Sequence, residues 1–319
     1  MLRYIAKRLL IAIPVLIGIS IIVFALVMST PGDPFTGMLS PGLSAEYKEA
    51  KLRELGYYDP LPVQYFKWVG RAVQGDFGYS TTYNRPVMSV IGDVFGNTVL
   101  LALVSLFFSM LIGIPIGVYV ATHKNGIVDH IMSIFAFIGL SIPAFFFALL
   151  LVRQFGYIWN VLPVSGMITT GVDYTGWQHV VDVARHIIMP AMVLALLNMA
   201  SFMRHTRSAM LDVISQDFIR TAKAKGVPRR KVTWKHAFKN ALIPIITIIS
   251  LQIPSLLSGA LLTETVFVWP GIGRLNWQAV QNRDYPLIMG IVMILAAITL
   301  AANLLADICY AIVDPRVRY

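Results

Sequence analysis

The sequence predicts an all-α integral membrane protein that crosses the bilayer six times. Apolar residues make up 57% of the 319 residues and charged residues only 13%, which is more apolar surface than a water-soluble core could bury. Six uncharged runs are long enough to span a bilayer as helices, which takes about 20 residues each. The runs are Leu9–Met28, Thr98–Ala121, Ile131–Val152, Ile187–Met203, Ala241–Thr263 and Tyr285–Ala306.

The charge distribution predicts that both termini lie in the cytoplasm. With six spans and both ends inside, the cytoplasmic segments hold 16 basic and 5 acidic residues, whereas the outer segments hold 10 basic and 11 acidic residues. The excess behind the net charge of +10 therefore lies on one side, as the positive-inside rule requires. We interpret this basicity as membrane orientation and not as a nucleic-acid-binding surface.

A long outer segment separates the first two spans. Within it, Ser44–Gly56 and Leu61–Val73 have helical apolar spacing, which predicts a small folded cap instead of a floppy loop. The sequence leaves open whether this cap covers an entrance or packs on the outer rim. The predicted units are the N-terminal tip and first span 1–30, the extracytoplasmic segment 31–97, the five-span core 98–312 with its cytoplasmic loop 204–240, and the cytoplasmic tail 313–319.

Glycine and proline residues interrupt the apolar pattern in and next to the predicted spans. Gly113 and Gly117 form a GxxxG spacing that permits close helix approach. Pro270, Gly271 and Gly273 predict a rigid turn within Glu264–Arg274 after the fifth span. The prolines that predict helix kinks are Pro14, Pro115, Pro143, Pro190, Pro244 and Pro254.

The cytoplasmic loop Arg204–Asn240 is the only long polar segment in the second half of the chain, and it predicts two short helices. The first covers about residues 216–225 and stops at Gly226 and Pro228. The second covers about residues 229–243 and carries an apolar stripe and a row of lysines on different faces. The stripe is Trp234, Ala237, Phe238, Ala241 and Leu242, and the row is Lys231, Lys235 and Lys239. Such a loop suits either a docking surface or a solvated linker that lies on headgroups.

The sequence also excludes several chemistries. It contains no phosphate-binding P-loop, no H-E-x-x-H or cysteine cluster and no G-x-S-x-G elbow, so we expect no catalytic residue, metal site or cofactor. The six runs carry no charge, which disfavours a carrier driven by protons or sodium. Asn198 in the fourth run is a candidate contact in a substrate path, although an interior hydrogen bond is favoured for it.

The stretch Arg220-Thr-Ala-Lys-Ala-Lys-Gly226, followed by Asn240-Ala-Leu-Ile-Pro244, resembles the EAA loop of ABC importer permeases. Arg220 and Thr221 stand where the general pattern has Glu and Ala, and the spacing to Pro244 is longer; both departures are typical of the peptide-importer branch. Further segments resemble the oligopeptide/dipeptide branch of that family. They are Pro31-Gly-Asp-Pro34, Leu55-Gly56, Asp59-Pro-Leu61, Gly75-Asp-Phe-Gly78, Glu264–Arg274, Asn282-Arg-Asp-Tyr285 and Asp314-Pro-Arg316.

The resemblance implies a permease subunit of an ATP-driven peptide importer in a bacterial or archaeal cytoplasmic membrane. Its expected partners are a second homologous permease, two cytoplasmic ATPase subunits that bind ATP and Mg, and an extracytoplasmic peptide-binding protein. The first short helix is then the coupling helix, with Phe218 and Ile219 giving apolar contact to the ATPase and Arg220, Lys223 and Lys225 giving charge. The expected coupling residues are Asp217, Phe218, Ile219, Arg220, Thr221, Ala222, Lys223, Lys225 and Gly226.

Several alternatives stay open at this stage. The same family branch includes permeases for nickel and for glutathione-like solutes, so the resemblance alone does not fix the cargo. A secondary carrier or channel that works alone, an intramembrane enzyme and a membrane anchor for an unrelated protein are the rival functions.

Overall fold

The computed structural model describes residues 2–30, 45–54, 56, 58–257 and 260–313. This part of the chain is built from helices, as predicted. The predicted segment Pro31–Pro34, Leu55 of the pair Leu55-Gly56 and the tail from Asp314 onward lie outside the described residues.

Thirteen α-helices and two π-helical segments are found in the described ranges. The π-helical segments are Val152–Ile158, which extends α6, and Val232–Phe238, which joins α9 to α10. The α-helices are α1 (Leu2–Met28), α2 (Ala45–Glu54), α3 (Leu61–Ala72), α4 (Val87–Thr122), α5 (Ile127–Ser141), α6 (Ala144–Leu151), α7 (Trp177–Ile214), α8 (Asp217–Ala224), α9 (Arg229–Lys231), α10 (Lys239–Leu257), α11 (Leu261–Val266), α12 (Ile272–Gln281) and α13 (Tyr285–Val313).

The membrane-crossing elements agree with the six predicted runs. Within the described ranges, five helical stretches are long and apolar enough to cross a membrane: α1, α4, α7, α9 to α10, and α13. The pair of α5 and α6 makes a sixth when it is counted as one broken span. The apolar side chains that these helices expose suit contact with lipid or with a partner subunit.

The third predicted run is not one straight helix. α5 and α6 are bent by 100° relative to each other, because Pro143 removes a backbone donor and Ile142 before it takes an extended conformation with ψ of 124°. The kink predicted at Pro143 is therefore confirmed, and the run Ile131–Val152 is divided between two helices. The fifth run is also divided, since α10 ends at Leu257 and Thr263 lies in the separate helix α11.

Two spans are much longer than the uncharged runs that predicted them. α4 has 36 residues and begins at Val87, so the last part of the predicted outer segment belongs to this helix. α7 has 38 residues and continues past Met203 to Ile214. At 1.5 Å per residue these helices are about 54 and 57 Å long, so each extends well beyond a hydrocarbon core of about 30 Å.

α4 and α7 form the central pair of the bundle, and the GxxxG spacing lies at their contact. A Cβ atom on Gly113 would lie 2.8 Å from the carbonyl oxygen of Met199, and one on Gly117 would lie 2.7 Å from that of Met203. Only hydrogen fits at these two positions, so the prediction of close helix approach is confirmed. α13 packs against α10 and α1 beside this pair.

The outer segment folds onto the ends of the spans. Trp68 of α3 packs with Phe24 of α1 and with Tyr285 and Met289 of α13 in one buried cluster. The predicted second outer helix is confirmed, because α3 covers Leu61–Ala72. α3 is therefore a folded part of this segment that packs on the ends of α1 and α13.

Buried Asp284, in the segment Asn282–Tyr285 that carried the family resemblance, is bonded to the loop before α4. Its carboxylate accepts hydrogen bonds from the Ser80 hydroxyl and from the backbone amide of Thr82 at 3.0 Å. It also accepts from the amide of Leu287 at 3.3 Å in the first turn of α13. One side chain thus caps a membrane helix and fixes the loop that leads into α4.

Buried Glu264 has a similar role in the turn between α11 and α12. Its carboxylate accepts hydrogen bonds from the Thr98 hydroxyl and the Arg274 amide, both at 3.0 Å. Burial raises the pKa of this carboxyl, and these two hydrogen bonds oppose the rise. A Cβ atom on Gly271 would lie 2.4 Å from the carboxylate carbon, so the glycine makes room for the acid.

Candidate coupling site

α8 is a separate two-turn helix that follows directly after α7. It ends in a Schellman motif, in which the amide of Val227 donates to the Ala222 carbonyl at 3.2 Å and that of Gly226 donates to the Lys223 carbonyl at 3.0 Å. Gly226 has φ of +73°, a left-handed conformation that costs glycine little. The predicted stop at Gly226 is confirmed, and the helix itself covers Asp217–Ala224.

One face of α8 is buried against the membrane bundle. Ile219 is fully buried, and Ala222 lies one turn further on the same face. Their cluster draws residues from α4, α7 and the segment from α9 to α10. Its other buried members are Val118, Ala121, Ala209, Met210, Val213, Val232, Ala237, Ala241 and Ile245.

This packing corrects the role expected for Ile219. The helical period turns Ile219 and Phe218 about 100° apart, so the two side chains cannot present one apolar surface. Phe218 is 41% exposed and Ile219 is 0% exposed. Ile219 therefore attaches α8 to this chain, and Phe218 is the apolar residue that remains free for a partner.

The outer face of α8 is polar and mainly cationic. Arg220, Thr221, Lys223 and Lys225 are all exposed. Asp217 lies in the first turn, where a carboxylate complements the helix dipole. Its ion pair with Arg220 spans 3.5 Å between two highly exposed side chains, so it contributes little to stability. The face therefore offers mobile positive charge around Phe218.

The helix that supports α8 differs from the sequence prediction in its register. Val232, Ala237, Ala241 and Ile245 are buried in it, whereas Trp234 is 46% exposed. A π-helical segment covers Val232–Phe238, and its wider turn places residues five apart on one face. The predicted stripe was thus right at Ala237 and Ala241 and wrong at Trp234. All three lysines of the predicted row are exposed.

Trp234 instead lines a shallow hollow on the exposed surface of this supporting helix. The hollow has a volume of about 510 Å³, and its other lining residues are Pro228, Arg230, Lys231 and Lys235. It is therefore an aromatic and cationic surface on the helix that supports α8.

Two long-range polar contacts stiffen the platform beneath α8, and the sequence analysis missed both. Arg207 of α7 donates to both carboxylate oxygens of buried Asp129 at 2.8 Å, a bidentate pair with fixed geometry. Asp129 also accepts from the amide of Asn125 at 2.9 Å. Arg229 at the start of α9 donates to the carbonyl of Thr122 at the end of α4, at 3.1 Å.

Asn198, the candidate residue of the substrate path, lies apart from α8, near the middle of α7. Its side-chain amide donates to the Leu194 carbonyl at 2.9 Å in the same helix, and the side chain is half-buried. The favoured interior hydrogen bond is therefore present. Asn198 remains on a face of α7 that no other described helix covers completely.

Comparison with protein families finds two matches along this chain. Residues 113–319 match the family described as binding-protein-dependent transport system inner membrane component. Residues 1–102 match the N-terminal part described for the same kind of transport-system membrane component. The chain belongs to this permease family. It is a multi-pass membrane component of a transport system, as the resemblance implied.

Relatives match this permease from end to end. It is 43% identical to the oligopeptide transport system permease protein AppB of Bacillus subtilis over 320 residues, covering 100% of both chains. It is 38% identical to the dipeptide transport system permease protein DppB of Escherichia coli K12 over 337 residues, covering 100% of this chain and 99% of the relative.

A solved structure supports the fold of the permease. The membrane protein in an inward-facing MetNI methionine ABC transporter structure matches with a TM-score of 0.56 at 18% identity. The match covers 71% of this chain and 97% of that chain. It supports an ABC transporter membrane-subunit fold.

Proposed function

We propose that this chain is a permease subunit of an ATP-driven importer of peptides. Membership in the binding-protein-dependent permease family carries the transport function, and full-length relatives named for oligopeptide and dipeptide transport support the cargo class. Those names favour peptides over nickel or glutathione-like solutes.

The attachment of α8 to the membrane bundle through its buried face is the structural observation that supports coupling to ATP hydrolysis. The buried face of α8 is attached to α4, α7 and α10 together, so a push on its exposed face reaches all three helices. The exposed face offers Phe218 for apolar contact and Arg220, Lys223 and Lys225 for charge. This arrangement suits a cleft in a partner ATPase whose closure on ATP would tilt the membrane helices.

The remaining assembly follows from this role. The chain forms half of the translocation path, and a second homologous permease forms the other half. Two cytoplasmic ATPase subunits bind ATP and Mg, and a peptide-binding protein delivers cargo outside. The chain itself holds no cofactor and catalyses no reaction. Both termini are cytoplasmic, so that α8 and the basic loops face the ATPases, in a bacterial or archaeal cytoplasmic membrane.

Reconstitution of the complete complex tests the proposal. ATP-dependent uptake of a labelled tripeptide should require both permeases, the ATPases and the binding protein. Reversing the charge at exposed Lys223 (Lys223→Glu), together with Phe218→Ala, should release the ATPases during co-purification. Lys124→Glu reverses an exposed charge in the turn between α4 and α5 and serves as the matched control.

Two results would contradict the proposal. ATPases that stay bound to the α8 variant and drive uptake at the wild-type rate would remove α8 from the coupling path. Gradient-driven uptake by the isolated chain would establish a secondary carrier instead.

A further inference from the structure

α7 carries a polar face that no other described helix covers completely. Its contacts with α4, α5 and α8 use other sides of the helix, through residues such as Met199, Ala200 and Met210, and α6 and α10 also pack against α7. The remaining face is half-buried or exposed, and we name it the open face of α7. Its residues are Leu197, Asn198, Ser201, Arg204, His205 and Ser208, which recur at helical spacing.

The composition of the open face does not suit lipid. Five of its six residues are polar, and one carries a charge. Exposed residues at the same spacing on α5 are Ile127, Ile131, Ile134 and Ile138, a side that suits lipid chains. Asn198 and Ser201 lie within the predicted fourth span, where polar side chains usually face a bundle interior or a water-filled cavity. Arg204, His205 and Ser208 continue the same face beyond Met203, in the polar segment that follows the span. The open face therefore joins a polar strip inside the span to the polar region at its end, as an aqueous path would require.

Arg204 on this face borders a hollow between α5 and α7. The hollow has a volume of about 210 Å³, enough for about seven waters, and is lined by Ser133, Ala136, Phe137, Met203, Arg204 and Arg207. Asp129 already holds Arg207 through Nε and Nη2. Exposed Arg204 makes no hydrogen bond or ion pair with any residue that the structure describes. The hollow thus presents an unpaired guanidinium, a hydroxyl and an apolar floor.

We infer that this hollow binds the C-terminal carboxylate of the peptide cargo, with Arg204 as the charged donor. The inference rests on the proposed function and adds a recognition residue to the path. Every unmodified peptide ends in a carboxylate, and a guanidinium fork matches that group in two parallel hydrogen bonds. Ala136, Phe137 and Met203 accept terminal side chains of different shapes, which suits a carrier of varied sequences. Arg207, the other guanidinium that lines the hollow, is already paired with Asp129, and the next charged residue on the open face itself is Asp212, about 12 Å further along the axis.

Photolabelling of the complete importer tests this site. The probe is a tripeptide with a C-terminal benzoylphenylalanine, used as the free acid and as the C-terminal amide. The nucleotide-free complex is labelled in phosphatidylcholine nanodiscs without the binding protein, so that delivery does not select between the probes. We expect the free acid to label α5 and α7 about tenfold more than the amide, the factor that one charge-assisted pair supplies.

Variants of Arg204 test whether this side chain causes the preference for the free acid over the amide. Arg204→Gln should lower labelling by the free acid to the level of the amide, while Arg204→Lys should keep part of the preference because the charge remains. Lys124→Gln removes an exposed charge from the cytoplasmic turn after α4 and should leave the preference unchanged. Subunit stoichiometry and melting temperature confirm that each variant complex is assembled.

Three results would overturn the assignment: equal labelling by acid and amide, an Arg204→Gln complex that keeps the preference, and loss of the preference when phosphatidylglycerol replaces phosphatidylcholine. The third result would assign the hollow to a lipid phosphate instead. ATP-driven uptake of the free-acid tripeptide by the wild-type complex with its binding protein is measured separately. That uptake tests the proposed function, whose failure is thus distinguished from failure of the Arg204 site.

Discussion

Ile219→Ala tests whether α8 is attached to the membrane bundle by its buried face. Ile219 is fully buried, and truncating such a side chain costs about 2–5 kcal/mol. A helix of 8 residues has little stability of its own, so this loss acts mainly on docking of α8. A loss of about 3 kcal/mol raises the undocked population roughly a hundredfold.

Hydrogen exchange and transport coupling together measure the effect. The amides of Gly226 and Val227 bond within the end of α8, and their protection should fall by the same factor of roughly a hundred. In proteoliposomes, the peptide transported per ATP hydrolysed should fall, because the ATPase would then move a loosely attached helix. Ile219→Val removes one methylene and should cost only about 1 kcal/mol.

Phe218→Ala provides the contrast on the exposed face of α8. It should leave amide protection unchanged, since Phe218 is exposed, and should weaken ATPase binding instead. Wild-type protection and a wild-type coupling ratio in Ile219→Ala would refute the reasoning.

Three further substitutions test other parts of the fold. Gly226→Val places a β-branched residue at φ of +73° and should destabilise the end of α8 by about 1–2 kcal/mol. Transport should then fall although the spans still assemble. The control Gly96→Ala, whose Cβ meets no atom within 4 Å, should leave transport and assembly unchanged in the same assays. Gly117→Ala should lower the melting temperature of the complex, because its Cβ would lie 2.7 Å from a carbonyl oxygen of α7 and overpacking costs about 1–3 kcal/mol; an unchanged melting temperature would contradict the close contact. Asp284→Ala leaves the Ser80 hydroxyl and two amides without their acceptor and should cost about 1–3 kcal/mol, which limited proteolysis should detect as faster cleavage near Ser80.

The sequence predicted features that depend on neighbours along the chain. Gly226 could be recognised as a stop because a left-handed residue at a helix end favours glycine and Pro228 follows it. Leu61–Ala72 was recognised by apolar spacing alone. The GxxxG spacing indicated a close contact, although the identity of the partner helix required the structure.

Features that depend on distant residues could not be predicted in the same way. Asp129 and Arg207 are 78 positions apart, and Ser80 and Asp284 are 204 apart, so nothing local pairs them. The π-helical turn at Val232–Phe238 changes the register of this helix, so Trp234 lies outside the stripe that a 3.6-residue period predicts. Pro143 predicted a kink, but a proline alone does not specify the angle of 100° between α5 and α6.

α7 is continuous from Trp177 to Ile214, which links events on the two sides of the membrane. For a rod of about 57 Å, a tilt of about 10° around its midpoint would displace the two ends by about 5 Å in opposite directions. Its outer end is bound to Thr169 through Asp182, with hydrogen bonds of 2.7 Å, so the loop before α7 would be carried along. The transport path would then open at one membrane surface and close at the other in a single rigid tilt of α7. Spin-label pairs at the two ends of α7 would record this tilt as distance changes of opposite sign.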